Sequence, residues 1–426
     1  MTFLNSFKLF FSTKSRFYFN ISFLKILKKI IFYILSHKKN YKKILSEEFK
    51  KFFPNSNVAF FNHGRGGFYV LLKYFNHRSK KKVLINSLTL FEMINMIIYS
   101  GYEPVFIDNK KDNFESNTID LINKYSDDIS FVVVTHLNGL NREIFEIKKR
   151  IEEINKNLNK NDKIYLIEDV AVSFGAKFNN NYCGSLGDFS ILSFNIMKNI
   201  TSLTGGALID NTNSIDFNIL NKNNIKISII DILKKIFFVF LIQFLNSRII
   251  FPFFFIFIRI AQKNNYHFFL KKYRSDFQTY VSSKIPLDFL KEFSNFQSFL
   301  LIDQLNNIEV KNKKRIYNSK YYYENLKKND QLIFPQTDFN ENNIFIDFPV
   351  ICKTKEYKNY ILSKSFDCYV DIKNYYYTDC AGENIYSKFN LNKCINSKII
   401  SENIIMLPVN INGSKNDLNK VIKLFE

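Results

Sequence analysis

The chain has 426 residues, 46% of them hydrophobic, with 48 Phe, no Trp, five cysteines and a formal net charge of +21. That length can bury a large core and hold about two domains. The apolar content excludes wholesale disorder, and five scattered cysteines exclude a small disulfide-stapled fold. The charge is unevenly placed. Residues 1–51 carry 12 basic and 2 acidic side chains, net +10, and residues 222–274 carry 10 basic and 1 acidic, net +9. The stretches 52–221 and 275–426 come to 0 and +2, so most of the chain has the balance of an ordinary globular protein.

The first element expected is a helix near residues 23–34. On it Lys25, Lys28 and Lys29 fall on one side and Phe23, Leu27, Ile30 and Ile34 on the other, the pattern of a basic amphipathic helix lying in a membrane interface. A signal peptide is not expected, because basic residues recur throughout and no small-residue cleavage site follows an apolar core. From Asn57 the texture changes. KKVLINS (81–87), EPVFID (103–108), SFVVVTH (130–136), KIYLIED (163–169), FSILSFN (189–195) and GGALID (205–210) read as strands, with helical periodicity over 89–100 and 143–158. Strands alternating with helices imply an α/β fold, a mostly parallel sheet covered on both faces, with ligands bound beyond the carboxyl ends of the strands.

Residues 236–258 form a second greasy stretch, long enough to span a bilayer but interrupted by Asn246, Ser247, Arg248 and Pro252. It reads as a membrane-dipping hairpin flanked by Lys234, Lys235, Arg259, Lys263, Lys271 and Lys272, with a buried helical pair in a dimer interface as the alternative. Nucleic acid is a poor partner for basic residues set within Phe/Ile/Leu runs. After residue 294 a long helical stretch leads into FIDFPVI (345–351), FDCYVD (366–371) and IIMLPV (404–409), read as strands of a smaller α+β domain. The expected organisation is a basic segment (1–53), a large domain (54–293) with an insertion at 222–274, and a small domain (294–426).

Three features carry chemistry. NHGRGG (62–67) opens a helical run, and glycines there let backbone N–H groups approach a phosphate. Asp169 ends a buried strand, where a carboxylate can pair with a cationic ring nitrogen or cap the next helix. SFNIMKNITSLTGG (193–206) places Lys198 just beyond a strand, where partial burial would lower its pKa and allow Schiff-base chemistry.

In this order, together with VLINSLTLFEMINMIIYSGYEPVFID (83–108), THLNGL (135–140), SNFQSFLLIDQL (294–305), Arg315 and NIIMLPVN (403–410), these features resemble the DegT-type sugar aminotransferases. These are fold-type I enzymes dependent on pyridoxal 5′-phosphate (PLP), with a seven-stranded large domain and a smaller α+β domain. The resemblance implies that Lys198 carries the cofactor and moves protons, and that Asp169 keeps the pyridine nitrogen protonated. It also implies that Arg65, Gly66 and Ser193 hold the cofactor phosphate. The implied reaction moves an amino group, usually from glutamate, to a keto group of a nucleotide-linked deoxysugar, in a homodimer and with no metal. Lys198 argues against the branch that dehydrates sugars, which has His there.

The sequence departs from the family at several places. Leu90 stands where an aromatic stacks on the ring, with Phe91 a substitute if the turn differs. Val172 stands where Gln or His contacts the phenolic oxygen, Thr204 replaces Glu, and the partner-subunit Asn has no match before Ser294. The expectation is a PLP aminotransferase for surface polysaccharide, at the cytoplasmic face of the membrane through residues 1–51 and 222–274. The alternative is a degenerate PLP-fold protein acting as a membrane-associated binding or scaffold subunit.

Overall fold

In the computed structural model the described residues are all except 1–9, 18, 37–38, 138, 140, 160, 218–224, 264–284, 336, 375–376 and 410–411. Two helices lead in: α1 (Phe23–Leu35), whose first turn is capped by the Ser22 side chain, and α2 (Tyr41–Phe49), capped by Asn40. The large domain then runs β1 (Asn57–Phe61), α3 (Gly64–Tyr74), β2 (Lys82–Asn86), α4 (Phe91–Tyr99), β3 (Glu103–Ile107) and α5 (Thr118–Tyr125). It continues through β4 (Ile129–Thr135), α6 (Ile144–Asn155), β5 (Tyr165–Asp169), β6 (Phe189–Ser193) and β7 (Gly206–Asp210).

These seven strands form one sheet in the order β1-β7-β6-β5-β4-β2-β3. All neighbours are parallel except β7, which runs antiparallel to both β1 and β6. Both faces are covered, which is why the strands are near-continuous apolar runs. Leu84, Val132 and Val134 join one core, while Val83, Ile85, Phe131 and Val133 join the other. The six strands expected from sequence are present. The seventh, β1, was missed because NVAFF follows directly on the basic segment, before the alternation of strands and helices sets in.

The described part of the inserted segment folds as α7 (Ile229–Leu245) and α8 (Phe251–Lys263), and Lys271 and Lys272, expected as basic flanks, lie outside the described residues. Pro252 does not break a helix; it sits in the first turn of α8, where a missing N–H costs nothing. Among the described residues no helix is long and apolar enough to cross a membrane. The long helical stretch divides at Asn306–Asn307 into α9 (Asn295–Leu305) and α10 (Ile308–Leu326). Beyond it lies the smaller α+β domain, an antiparallel sheet of β8 (Leu332–Ile333), β9 (Asp347–Cys352) and β10 (Ile404–Pro408). Helices α11 (Lys355–Asp367), α12 (Ile395–Asn403) and α13 (Lys415–Ile422) accompany it.

Two expectations fail. FDCYVD is no strand: Phe366 and Asp367 end α11, and the chain turns through Tyr369 at φ +54°. Six residues of apolar alternation are too few to tell a strand from a helix end. On α1, Lys29 does not share an outer face with Lys25 and Lys28. It is buried, its Nζ 2.6 Å from Asp303 and over the Phe299 ring, while the apolar Leu27 and Ile34 are exposed.

Candidate active site

The loop from β6 to β7 carries Lys198. Ser193 pairs with Gly206 across the two strands, so residues 194–205 leave and re-enter the sheet at one point. Phe194 N–H donates to the Gly205 carbonyl at 2.8 Å, and Lys198 N–H to that of Asn195 at 3.0 Å. The return needs Gly205 at φ +145°, where a Cβ would also lie 2.6 Å from the Phe293 ring. Lys198 is half-buried. Burial is the main influence that lowers its amine to about 8; Lys373 and Arg65 add to this, and Asp169 opposes it.

Asp169 reaches the same place from the end of β5, which lies beside β6. Its Oδ1 accepts the Ala171 N–H at 3.0 Å, and Oδ2 has no partner among the described residues. Burial raises its carboxyl, against the pull of the Ala171 amide, Lys198 and His136. Directly behind it, Glu168 is fully buried. It accepts from Gly184 N–H at 2.8 Å, Leu186 N–H at 2.7 Å, Gly187 N–H at 2.5 Å and His136 Nε2 at 2.9 Å. His136 Nδ1 accepts the Asn141 N–H at 2.9 Å, which places the ring proton on Nε2. Burial alone would raise the Glu168 carboxyl, but His136 and the backbone amides outweigh it and hold it low. His136 N–H in turn donates to the Asp169 carbonyl at 3.0 Å. The pair therefore fixes the strand end that presents Asp169.

The third component is the N-terminus of α3, which packs on the β7 end of the same loop. A Cβ at Gly206 would lie 2.3 Å from Gly64 Cα, so only glycine permits this approach. A Cβ at Gly66 would lie 2.1 Å from the Phe289 carbonyl. The Gly66 N–H is turned to the His63 carbonyl at 3.0 Å, leaving the Arg65 amide as the more available donor of that turn. The Arg65 guanidinium pairs with Glu92 and lies 4.8 Å from the centre of the Phe289 ring. The Ser193 hydroxyl has no partner among the described residues.

The structure thus brings Lys198, Asp169, Ser193, Arg65 and Gly66 to one end of the sheet. Leu90 is the half-buried residue preceding α4 and offers no aromatic face. Phe91 does not replace it, because its side chain is packed in the core with Phe106 and Tyr386. Val172 is buried and offers no hydrogen bond. Thr204 hydrogen-bonds Asn62 Oδ1 at 3.2 Å and receives Lys235 Nζ at 2.9 Å.

Sequence reasoning missed four residues around the site: Lys373, Glu168, Asn20 and Lys235. Asn20 Nδ2 donates to the Lys198 carbonyl, and its Oδ1 lies 3.5 Å from Lys311 Nζ and 3.4 Å from an Arg315 nitrogen. Glu168 was signalled by a second carboxylate beside Asp169 on a strand buried on both faces. Asn20 left no signal, and Lys235, expected as a membrane-facing flank of the greasy stretch, is instead turned inward to Asn62 and Thr204 by the packing of α7.

The sequence model of the DegT/DnrJ/EryC1/StrS aminotransferase family matches residues 34–224 and 268–426. The chain belongs to this family. The unmatched residues 1–33 and 225–267 contain most of α1 and all of α7 and α8. GDP-perosamine synthase of Escherichia coli O157:H7 is 29% identical over 134 residues, 32% of this chain. The match spans about a third of that relative, 35% of its length. Among solved structures, Helicobacter pylori PseC, an aminotransferase involved in the biosynthesis of pseudoaminic acid, aligns with a TM-score of 0.71 at 16% identity, covering 97% of this chain and 98% of that one. The putative sugar aminotransferase Spr1654 from Streptococcus pneumoniae in its PLP form aligns at 0.68 and 15% identity, covering 96% of each. The donor set fits PLP: an amine of lowered pKa, a buried carboxylate and a helix N-terminus beside a serine hydroxyl, with Asp169 Oδ2 and the Ser193 hydroxyl having no partner among the described residues.

Proposed function

We propose that the protein is a PLP-dependent aminotransferase that transfers an amino group, from a donor such as glutamate, to a keto group of a nucleotide-linked deoxysugar. The observation that carries this reading is the meeting of Lys198 and Asp169 at adjacent parallel strand ends, with the lysine amine lowered by burial. When bound, the cofactor supplies an electron sink for the substrate carbon. Asp169 Oδ2 would hold a protonated ring nitrogen, and Lys198 Nζ would give and take a proton. Arg65 N–H, the Ser193 hydroxyl and the α3 N-terminus would take the phosphate. The name of one relative, GDP-perosamine synthase, supports a nucleotide-linked sugar as substrate. A homodimer is part of the same proposal.

The reading places the protein at the cytoplasmic face of a membrane, held through α1, α7 and α8. Five free cysteines, four of them buried, suit a reducing compartment. The second reading, a degenerate fold kept for binding, is favoured only by Leu90 and Val172. Absorbance decides between them. Protein incubated with PLP should turn yellow and be bleached and fixed by borohydride, while Lys198→Ala should lose the colour and at least ~100-fold in transamination, the lower range for a general acid–base group. A wild-type protein that stays colourless would leave the second reading standing.

A further inference from the structure

The Lys198 loop is roofed by segments that lie outside the family match. Ile196 and Leu203, which bracket Lys198, are buried in one apolar cluster with Ile21 and Ile26 from the N-terminal segment and Ile236 and Val239 from α7. The two roof elements are also joined to each other. Phe23 and Phe240 rings are 4.6 Å apart, Phe23 N–H donates to Gln243 Oε1 at 2.7 Å, and Gln243 Nε2 donates to the Ile21 carbonyl at 2.9 Å.

Each roof element sends one polar side chain through to the site. Asn20, just before α1, donates to the Lys198 carbonyl. Lys235, on α7, reaches Asn62 Oδ1 and Thr204 Oγ1, the residues flanking the Gly64–Gly206 contact. The roof therefore touches both halves of the cofactor cradle, the lysine loop and the phosphate-facing helix.

The outer face of the same roof is apolar and cationic. Leu24, Phe32, Leu35, Phe237 and Phe238 are all more than half exposed, at 58% to 77%. Lys25, Lys28, Lys234 and Arg248 are exposed among them. Acidic residues are almost absent: α1 has none, and Asp231, the one on α7, is engaged by Ser228 and Lys291. An apolar face studded with unopposed cations is complementary to a bilayer surface with anionic headgroups.

We propose that anionic lipid bound to the outer face holds the roof closed and thereby tightens the cofactor cradle, with Asn20 and Lys235 as the positioning residues that transmit it. This rests on the membrane reading above and adds a coupling to it. Coupling between two sites is reciprocal, so PLP loading should strengthen lipid binding by the same factor that lipid strengthens PLP binding.

The test uses the full chain and vesicles of equal parts phosphatidylcholine and phosphatidylglycerol. In protein without PLP, amide hydrogen exchange of residues 193–206 should slow about tenfold on vesicle binding, a usual size for linked sites. Pure phosphatidylcholine vesicles should leave it unchanged. Asn20→Ala and Lys235→Met should still float with vesicles but lose the lipid-dependent slowing, and Lys235→Arg should regain it. Vesicle binding with unaltered exchange in the 193–206 loop would overturn the coupling. Absence of vesicle binding, with the outer face protected in a protein dimer, would overturn the lipid as occupant. A lipid effect on exchange in a protein that never takes up PLP would keep the coupling and sink the catalytic reading instead.

Discussion

The α/β body and the two basic, greasy segments obey different rules. In the body, charges balance within each stretch and buried carboxylates are surrounded by donors, as Glu168 is by three amides and His136. In the segments, cations outnumber acids by 22 to 3, and large apolar side chains remain exposed on α1, α7 and α8. The first arrangement is complete within one chain. The second is complete only on its inner side, where Ile26, Ile236 and Val239 are buried, and its outer side implies a partner. The difference separates what the family fold requires from what this chain has added to it.

The largest effect should come from the body. Glu168→Gln replaces a carboxylate that accepts from His136 Nε2–H and three amides with an amide whose NH2 cannot accept, and each buried donor left unsatisfied costs about 1–3 kcal/mol. Urea unfolding should report that loss, whereas Lys28→Gln on the outer face should shift stability by less than ~0.5 kcal/mol. A Glu168 variant as stable as the parent would mean the strand end presenting Asp169 is held by packing alone.

Much of the body could be read from sequence, because short apolar runs ending in polar residues report strands whose two faces are both covered. Lys198 and Asp169 were legible for the same reason: each stands at or just beyond such a run. FDCYVD was misread because six residues carry too little periodicity, and Tyr369 gives no sign that it turns left-handed. Lys29 was misread because a helical wheel assigns lysines to solvent, while Asp303 and Phe299, some 270 residues on, draw this one inward. Asn20 was invisible, and Lys235 was misread as a membrane flank, for a similar reason. Their roles depend on which helices pack together, and local pattern carries no such information.

On the outer face the effect per residue should be smaller. Replacing Lys25 and Lys28 with Gln should weaken flotation with anionic vesicles by about 1 kcal/mol for each cation removed. Raising salt should weaken wild-type binding in the same direction, since exposed charges are screened beyond about 8 Å at physiological ionic strength. Unfolding midpoints should not move. Flotation insensitive to both changes would leave Phe237, Phe238 and their neighbours to act through apolar burial alone.

The smallest effect concerns Lys198 itself and is visible only as a slope. Its amine is lowered from 10.5 to about 8 in the folded chain, chiefly by burial, with Lys373 and Arg65 adding to that and Asp169 opposing it. Between those two values the unfolded chain binds the extra proton and the folded chain does not, so stability rises with pH across that window. Below pH 8 both states are protonated and the folded one carries the cost of a half-buried ammonium. Thermal unfolding of the protein without PLP, compared with Lys198→Met, isolates this contribution. The wild type should gain on the variant from pH 8 to pH 10, modestly, because water reaches the half-buried amine and screens it. Parallel curves would place the lysine at its ordinary pKa and remove the electrostatic reason for its readiness to react near neutrality.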